Sequence, residues 1–240
     1  MPRDADAARR AVARAVEEIE RPVDGPVLRL TVHSGGARPP LVVVQVNAKL
    51  GGRLVRSQAA ASTIEDAVHR TVDGLRRRMR RLDRHLRAEA AGEVSPVLHR
   101  WRVPFLAAPV GLVARPALPA TLIRTKTCPA VIHHVGAAAC IMELRDYPFH
   151  LFLEDTTLSP AVLCHGGVTG LHLIRSVAGA ATSPVTASSR LAVPIRVAEA
   201  VRTLNAEPAW PFLFFLDPAS GHGRVLYRRY DGHLGLLIAT

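Results

Sequence analysis

Closely spaced arginines dominate the stretch Ser62–Arg87, and the chemistry open to them is anion binding rather than catalysis. A guanidinium is always charged and grips phosphate through two parallel hydrogen bonds. At helical spacing, the apolar residues of this stretch form one stripe and most of the arginines lie opposite, with Arg78 on the flank. The pattern predicts a helix with one face for a core and one for a polyanion. The arginines are Arg76, Arg77, Arg78, Arg80, Arg81, Arg84 and Arg87.

The same stretch also predicts where the helix begins and how its charges balance. Ser62 is placed to cap the helix start, with Glu65 in the reciprocal capping-box position. After Gly74, Asp83 is the only acid of the stretch that offsets the arginines. A solvated face normally mixes both signs, so this bias favours RNA contact over simple solubility. Such contacts would be to phosphates, which position a protein without reading sequence.

The predicted cationic patch extends beyond the helix to a neighbouring turn and strand, through Lys49, Arg53 and Arg56. The whole chain of 240 residues carries a formal charge of +11, as nucleic-acid binders often do. Its hydrophobic content of 48% argues against wholesale disorder, and its length suffices for two or three small domains.

Several function classes find no support in the residues. The three cysteines form no CxxC and fit a reducing cytosol, and no His or Cys spacing predicts a metal site or cofactor. No nucleophile elbow, HExxH or Walker loop occurs, so we predict no enzyme. The first residues lack the apolar core of a secretory signal, and prolines interrupt the most apolar run, Phe105–Ile123. We therefore expect a cytoplasmic protein without membrane attachment.

The N-terminal part alternates between helical and strand patterns. Asp4–Glu20 reads as a helix. Val27–His33, Leu41–Ala48 and Arg53–Gln58 read as strands, and the arginine helix follows them. This order predicts an α+β domain, in which both helices cover the apolar face of a small antiparallel sheet.

An internal repeat occupies the C-terminal part. The residues from Phe149 align without gaps on those from Phe212, and the helical stretch Val135–Leu144 aligns on Ala198–Glu207. Each copy reads as a strand, a helix and an antiparallel strand set. So small a unit buries little core and leaves strand edges open, so we expect the two copies to pair within one chain.

The aromatic residues of the repeats admit two interpretations, RNA stacking or a repeat-pairing interface, and their place in alternating apolar strands favours the interface. For Arg228 and Arg229, RNA contact and a sheet-edge position remain equally open. The predicted interface residues are Phe149, Leu151, Phe212, Phe214, Tyr227 and Tyr230. The predicted organisation is an N-terminal domain 1–89, a Pro-rich linker 90–120, a degenerate repeat 121–177, a short linker 178–187 and a second repeat 188–240.

Two stretches carry a resemblance to a known family. The first is KLGGRLVRSQ (49–58) with TVDGLRRRMRRL (71–82), and the second is FLFFLD (212–217) with the YRRxDG run Tyr227–Gly232. The first repeat keeps IRTK (123–126) and MEL (142–144) but reads CHGGVT where the YRRxDG run would stand. With these features the chain resembles the long-form bacterial ribosome hibernation promoting factors, in the hypoxia- and dormancy-induced subclass whose C-terminal domain is duplicated.

The resemblance implies a mechanism. The N-terminal domain would bind the small ribosomal subunit, contacting 16S rRNA and neighbouring ribosomal proteins in the channel for mRNA and tRNA, and would block translation by occupancy. In single-copy members the C-terminal domain pairs between two proteins and joins two ribosomes. Here we see no strand before the Asp4 helix, where the family has one, and the two copies can pair internally instead of forming a homodimer.

Our hypothesis is a factor that holds single ribosomes idle. A general RNA- or DNA-binding stress protein using the same basic helix is the first alternative. An adaptor, in which the repeats bind a protein partner and the helix is a solubilising face, is the second.

Overall fold

The computed structural model describes residues 2–33, 40–92, 119–166, 169–179 and 185–240. Most of the predicted linker 90–120 and residues 180–184 of the second connection lie outside this range. The chain forms two compact units. The N-terminal unit takes in Met1–His99 and Glu143–Tyr147, and the C-terminal unit takes in Arg100–Met142 and Pro148–Thr240.

The N-terminal unit has the predicted element order. It consists of α1 (Pro2–Glu17), β1 (Val23–His33), β2 (Leu41–Leu50), β3 (Arg53–Ala61) and α2 (Ile64–Ala90). The strands form one antiparallel sheet in the order β1-β2-β3. The α+β class predicted from the sequence is confirmed, and among the described residues α1 is the first element of the chain.

The start of α2 differs by one residue from the prediction. Thr63, not Ser62, is the N-cap: its backbone is extended and its hydroxyl accepts a hydrogen bond from the Asp66 backbone N–H at 3.1 Å. The Ser62–Glu65 capping box is therefore wrong. Both hydroxyl residues suit a cap chemically, and the backbone conformation at Thr63 decides between them.

The apolar stripe of α2 lies against the sheet. Leu75, Met79 and Leu82 are fully buried, as are the inward residues of β2. Gly74 allows the close approach, because a Cβ there would lie 2.5 Å from the Ser57 hydroxyl oxygen on β3. With this face buried, the arginine side of α2 is left to solvent and to polar neighbours.

The C-terminal unit contains two sheets and two helices among its described residues, except that the last two residues of the first helix, Glu143 and Leu144, belong to the N-terminal unit. Its elements are β4 (Leu122–Cys128), β5 (Ile132–His133), α3 (Val135–Leu144), β6 (Phe149–Glu154), β7 (Ser159–His165), β8 (Leu171–Arg175), β9 (Thr186–Ala187), α4 (Val197–Ala206), β10 (Phe212–Leu216), β11 (Gly223–Arg228) and β12 (Leu234–Ala239). Corresponding strands begin 63 residues apart, at Phe149 and Phe212 and again at Leu171 and Leu234. This is the spacing of the gapless sequence alignment.

The opening strand of each copy joins the sheet of the other copy. One sheet has the order β10-β11-β12-β4 and the other β5-β6-β7-β8-β9. Strand β4, which precedes the first helix, runs parallel to β12 of the second copy, and β9 runs parallel to β8 of the first. The sequence pattern placed each opening strand within its own copy. The exchange covers edges that the antiparallel sets would otherwise leave open at β8 and β12.

One apolar cluster contains residues of both copies. Phe149 and Leu151 of the first copy are buried with Phe214 and Val225 of the second. The Phe149 ring lies 4.9 Å from that of Phe212 and 5.8 Å from that of Tyr227, measured between centroids. Both sheets therefore contribute to the same core. No helix in the described part of the chain is long and apolar enough to cross a membrane.

Candidate nucleic-acid interface

A stripe of exposed arginines that have no partner among the described residues runs along α2. Arg77 and Arg84 are exposed, and no described residue forms an ion pair or hydrogen bond with either guanidinium. Arg70, seven residues before Arg77, shares these properties. Seven residues are nearly two helical turns, so the three side chains lie on one side of α2, about 10 Å apart along its axis. Arg70 was missing from the predicted site, although its seven-residue spacing to Arg77 could have identified it.

A second group of arginines pairs with acids at and after the end of α1. Arg76 and Arg80 both bind the Glu18 carboxylate, at 2.7 and 2.8 Å. Arg87 binds Glu20 at 2.6 Å and also contacts Asp83 of its own helix at 2.9 Å. The side chains of Arg80 and Arg87 are more than half exposed. Exposed ion pairs contribute little free energy, so these guanidiniums can exchange a carboxylate for a phosphate at small cost.

A third group is held by the turn Glu143–Tyr147, which belongs to the N-terminal unit. Arg78 forms an ion pair with Asp146, and Arg81 binds Glu143 at 3.2 Å. Arg56, on β3, donates to the backbone carbonyls of Arg145 and Asp146. Burial lowers the pKa of Arg78, against the opposing effect of the nearby carboxylates.

The predicted extension of the cationic patch also contains both an exposed cation and a cation that is paired with a carboxylate. Lys49 is exposed and has no partner among the described residues. Arg53 donates to both carboxylate oxygens of Glu89, at 2.9 and 3.0 Å. These hydrogen bonds lower the pKa of Glu89.

The charge balance of the arginine face differs from the one expected from the stretch alone. Asp83 is not its only counter-charge, because Glu18, Glu20, Glu143 and Asp146 reach the same arginines from distant parts of the chain. Local sequence could not reveal this, since these acids lie 58 or more residues from the arginines they bind.

In the C-terminal unit, the YRRxDG run makes internal contacts. Arg228 donates to the carbonyl oxygens of Leu204, Glu207 and Trp210, at the C-terminal end of α4. Arg229 binds both carboxylate oxygens of Asp231. Both arginines therefore have partners within their own repeat, and RNA contact by either of them is not tested. Tyr230 is half-buried and lies outside the apolar cluster of the two copies.

The remaining chemistry-bearing residues form no second site. Within the described ranges, no group of three or more His, Cys, Asp or Glu residues is arranged to hold a metal ion. Cys164 is buried, and desolvation raises the pKa of its thiol to about 11, so it is not an activated nucleophile.

No family model matches the chain. Two curated proteins do, both called dormancy associated translation inhibitor, from the CDC 1551 and H37Rv strains of Mycobacterium tuberculosis. Each is 32% identical to this chain over 255 residues, which covers 96% of this chain and 86% of the relative. By this similarity the chain belongs to the family of the dormancy associated translation inhibitor, and the predicted relation to the long-form hibernation-type factors is confirmed.

Proposed function

We propose that this protein inhibits translation by binding the small ribosomal subunit, with the arginine side of α2 against 16S rRNA and neighbouring ribosomal proteins. It would act in the cytoplasm by occupying the mRNA and tRNA channel, without catalysing a reaction. The name of its relatives, translation inhibitors associated with dormancy, supports the general role. The observation that carries the RNA-binding part is the stripe of exposed, unpartnered arginines at 70, 77 and 84.

The stripe fits an RNA backbone better than it fits a solvated surface. A surface that serves only solubility mixes both signs, and elsewhere on α2 the arginines do have carboxylate partners. Three guanidiniums lie along one line, on a helix that is buried on its other face, and this placement allows them to contact phosphates of an RNA backbone. Because phosphate contacts carry no sequence information, recognition would depend on RNA shape.

We test this with Arg77→Glu combined with Arg84→Glu, measuring binding of the full chain to purified bacterial small ribosomal subunits. Two phosphate contacts become repulsive, so we expect affinity to fall at least about 100-fold, with a salt slope smaller by about two. The control is Arg196→Glu with Arg202→Glu, which makes the same charge change at exposed positions of the C-terminal unit. Equal binding by both variants would contradict the proposal.

Competition separates ribosome binding from general RNA binding. A ribosome-specific factor keeps its place on the subunit when a mass excess of unstructured RNA is added. A general RNA- or DNA-binding stress protein would be displaced, and a protein adaptor would not bind the subunit in either condition.

We further propose that the protein holds ribosomes as single particles. The exchanged strands β4 and β9 and the mixed apolar cluster support this, because each copy already has a partner within the chain. A surface so occupied is not available to a second molecule. Sedimentation of ribosomes with added protein is the test, and a dominant peak of paired ribosomes would contradict it.

A further inference from the structure

The carbonyl oxygens at the C-terminal ends of α3 and α4 have different hydrogen-bond donors. In the second copy, the Arg228 guanidinium donates to the carbonyl oxygen of Leu204 in α4 and to those of Glu207 and Trp210 beyond the end of that helix. The residue 63 positions before Arg228 is His165, so the first copy has no arginine at the corresponding place. At the end of α3, the Asp146 backbone N–H donates to the Glu143 carbonyl at 3.3 Å, and arginine side chains donate to this carbonyl and to those of the following residues.

These arginines come from β3 and α2, which belong to the same unit as Glu143–Tyr147. Arg78 donates through Nε to the Glu143 carbonyl at 2.9 Å. Arg56 donates to the carbonyls of Arg145 and Asp146 at 3.0 and 3.2 Å, and its guanidinium carbon lies 5.3 Å from the centre of the Tyr147 ring. The C-terminal end of a helix carries partial negative charge, which favours these cations.

Two carboxylates make the same turn acidic. Glu143 and Asp146 bind Arg81 and Arg78, whereas the second copy has Ala206 and Ala209 at the corresponding positions. The Asp146 carboxylate also accepts the Gln58 backbone N–H of the edge strand β3, at 2.7 Å. The backbone of Asp146 has a φ of 51°, in the left-handed region that non-glycine residues seldom adopt. These features occur in the first copy and not in the second, and the two carboxylates bind β3 and α2.

We propose that the turn Glu143–Tyr147 is an internal competitor of RNA, whose carboxylate and carbonyl oxygens occupy Arg56, Arg78 and Arg81 as phosphate oxygens would. This rests on the proposed function, in which the arginine side of α2 binds RNA. With the turn in place, the protein offers RNA the exposed arginines alone. When RNA displaces the turn, three further cations become available to phosphate.

The chemistry of the contact suits exchange. It consists mainly of hydrogen bonds and ion pairs to guanidiniums, and a phosphate backbone provides charged oxygens of the same geometry. Burial also raises the pKa of Glu143, which shows that its charged form is held in a poorly solvated place. Transfer of Arg78 and Arg81 from the turn to RNA would therefore replace one set of anionic partners by another and return Glu143 to water.

The first experiment removes the charge of the turn without changing its shape. Glu143→Gln with Asp146→Asn is compared with Asp155→Asn and Glu207→Gln, which remove two charges at exposed positions. We measure binding of the full chain to purified bacterial small ribosomal subunits across a salt series. The turn variant should bind at least about fivefold more tightly at 100 mM salt than the control, with a slope of log K against log salt steeper by about one to two. Identical affinity and slope for the two variants would overturn the proposal.

A second experiment uses the unmodified protein, so it does not depend on the variant folding. The Gln58 amide should exchange slowly with solvent deuterium in the free protein, because Asp146 accepts it. Adding small ribosomal subunits should accelerate that exchange while the amides of the α2 interior stay protected. Slow exchange of Gln58 in the complex would show that the turn stays in place and would overturn the proposal.

The two proposals fail in different ways. If the wild-type protein does not bind small subunits, or if Arg77→Glu with Arg84→Glu has no effect, the proposed function is wrong. If binding requires Arg77 and Arg84 but does not change when the charge of the turn is removed, and if the Gln58 amide stays protected in the complex, only the proposal that the turn competes with RNA is wrong.

Discussion

The two copies of the C-terminal repeat have corresponding strands and helices but differ in several of their polar contacts. The first copy buries an ion pair in which the Glu154 carboxylate binds Arg175 at 2.6 and 2.7 Å, and both side chains are fully or nearly fully buried. The second copy has Asp217 and Ile238 at the corresponding positions, and Asp217 binds Arg224 instead.

The comparison shows that the apolar core residues are common to both copies, whereas the polar residues that bind other segments differ between them. Apolar positions such as Phe149 and Phe212, which share one core, are kept in both copies. The arginine cap at Arg228 is kept only in the second copy. At the end of α3, the acidic turn Glu143–Tyr147 instead binds Arg78 and Arg81 of α2, which lie in the same unit as the turn. The shared apolar core is enough to keep the fold of both copies, so polar residues outside it can differ between them.

The largest effect is expected where the copies differ in a buried charge. Glu154→Ala leaves Arg175 buried without its carboxylate, and we expect a loss of about 3–5 kcal/mol in the free energy of unfolding. Glu154→Leu with Arg175→Ile should cost much less, since apolar pairs often replace buried ion pairs without loss of stability. Urea unfolding of the full chain measures both.

The matched control for this pair is Asp217→Ala in the second copy, where the carboxylate is closer to solvent. It should destabilise the protein less than Glu154→Ala. Equal losses at the two positions would show that the buried pair gives the first copy no special dependence on charge.

A smaller loss is expected from the helix cap of the second copy. Arg228→Ala removes donors to carbonyl oxygens at the end of α4, and we expect a loss of about 1–3 kcal/mol. Arg202→Ala, at an exposed position of the same helix, is the control and should stay within about 0.5 kcal/mol of wild type. Thermal unfolding is the measurement. If Arg228→Ala is as stable as Arg202→Ala, the hydrogen bonds from Arg228 do not stabilise the end of α4.

The buried ion pair of the first copy should also make the stability of the protein depend on pH. Hydrogen bonds from Arg175 lower the pKa of Glu154 in the folded protein. The resulting stabilisation is complete above the ordinary glutamate pKa of about 4.3 and is lost as the pH falls through the lower folded value. Glu154→Leu with Arg175→Ile lacks this contribution, so its stability relative to wild type should improve on acidification from pH 6 to pH 3. Urea unfolding at several pH values tests this, and parallel profiles would contradict it.

The smallest effect concerns reactivity alone. Cys164 stands where the second copy has Tyr227, in the shared core, and burial raises its pKa to about 11. At pH 8 the native thiol should therefore resist iodoacetamide and react only after unfolding. Mass spectrometry of Cys164 in native and urea-unfolded protein is the measurement. Equal labelling rates in the two states would place Cys164 outside the core.

The sequence by itself determined the element order of the N-terminal unit, the amphipathic arginine helix and the 63-residue spacing of the repeats. These features depend on local periodicity: Leu75, Met79 and Leu82 fall on one helical stripe whatever the rest of the chain does. The same reasoning identified Arg77 and Arg84 as candidates for RNA contact, although their role remains a proposal.

Only the tertiary structure decided which arginines keep an exposed charge and which repeat each strand completes. Nothing in the sequence near Arg78 indicates that Asp146, 68 residues away, would neutralise it. Nor does the pattern of β4 show that its partner is β12, more than 100 residues later. Periodicity reports which face of an element is apolar, but ion pairs and strand pairs depend on which distant segments folding brings together.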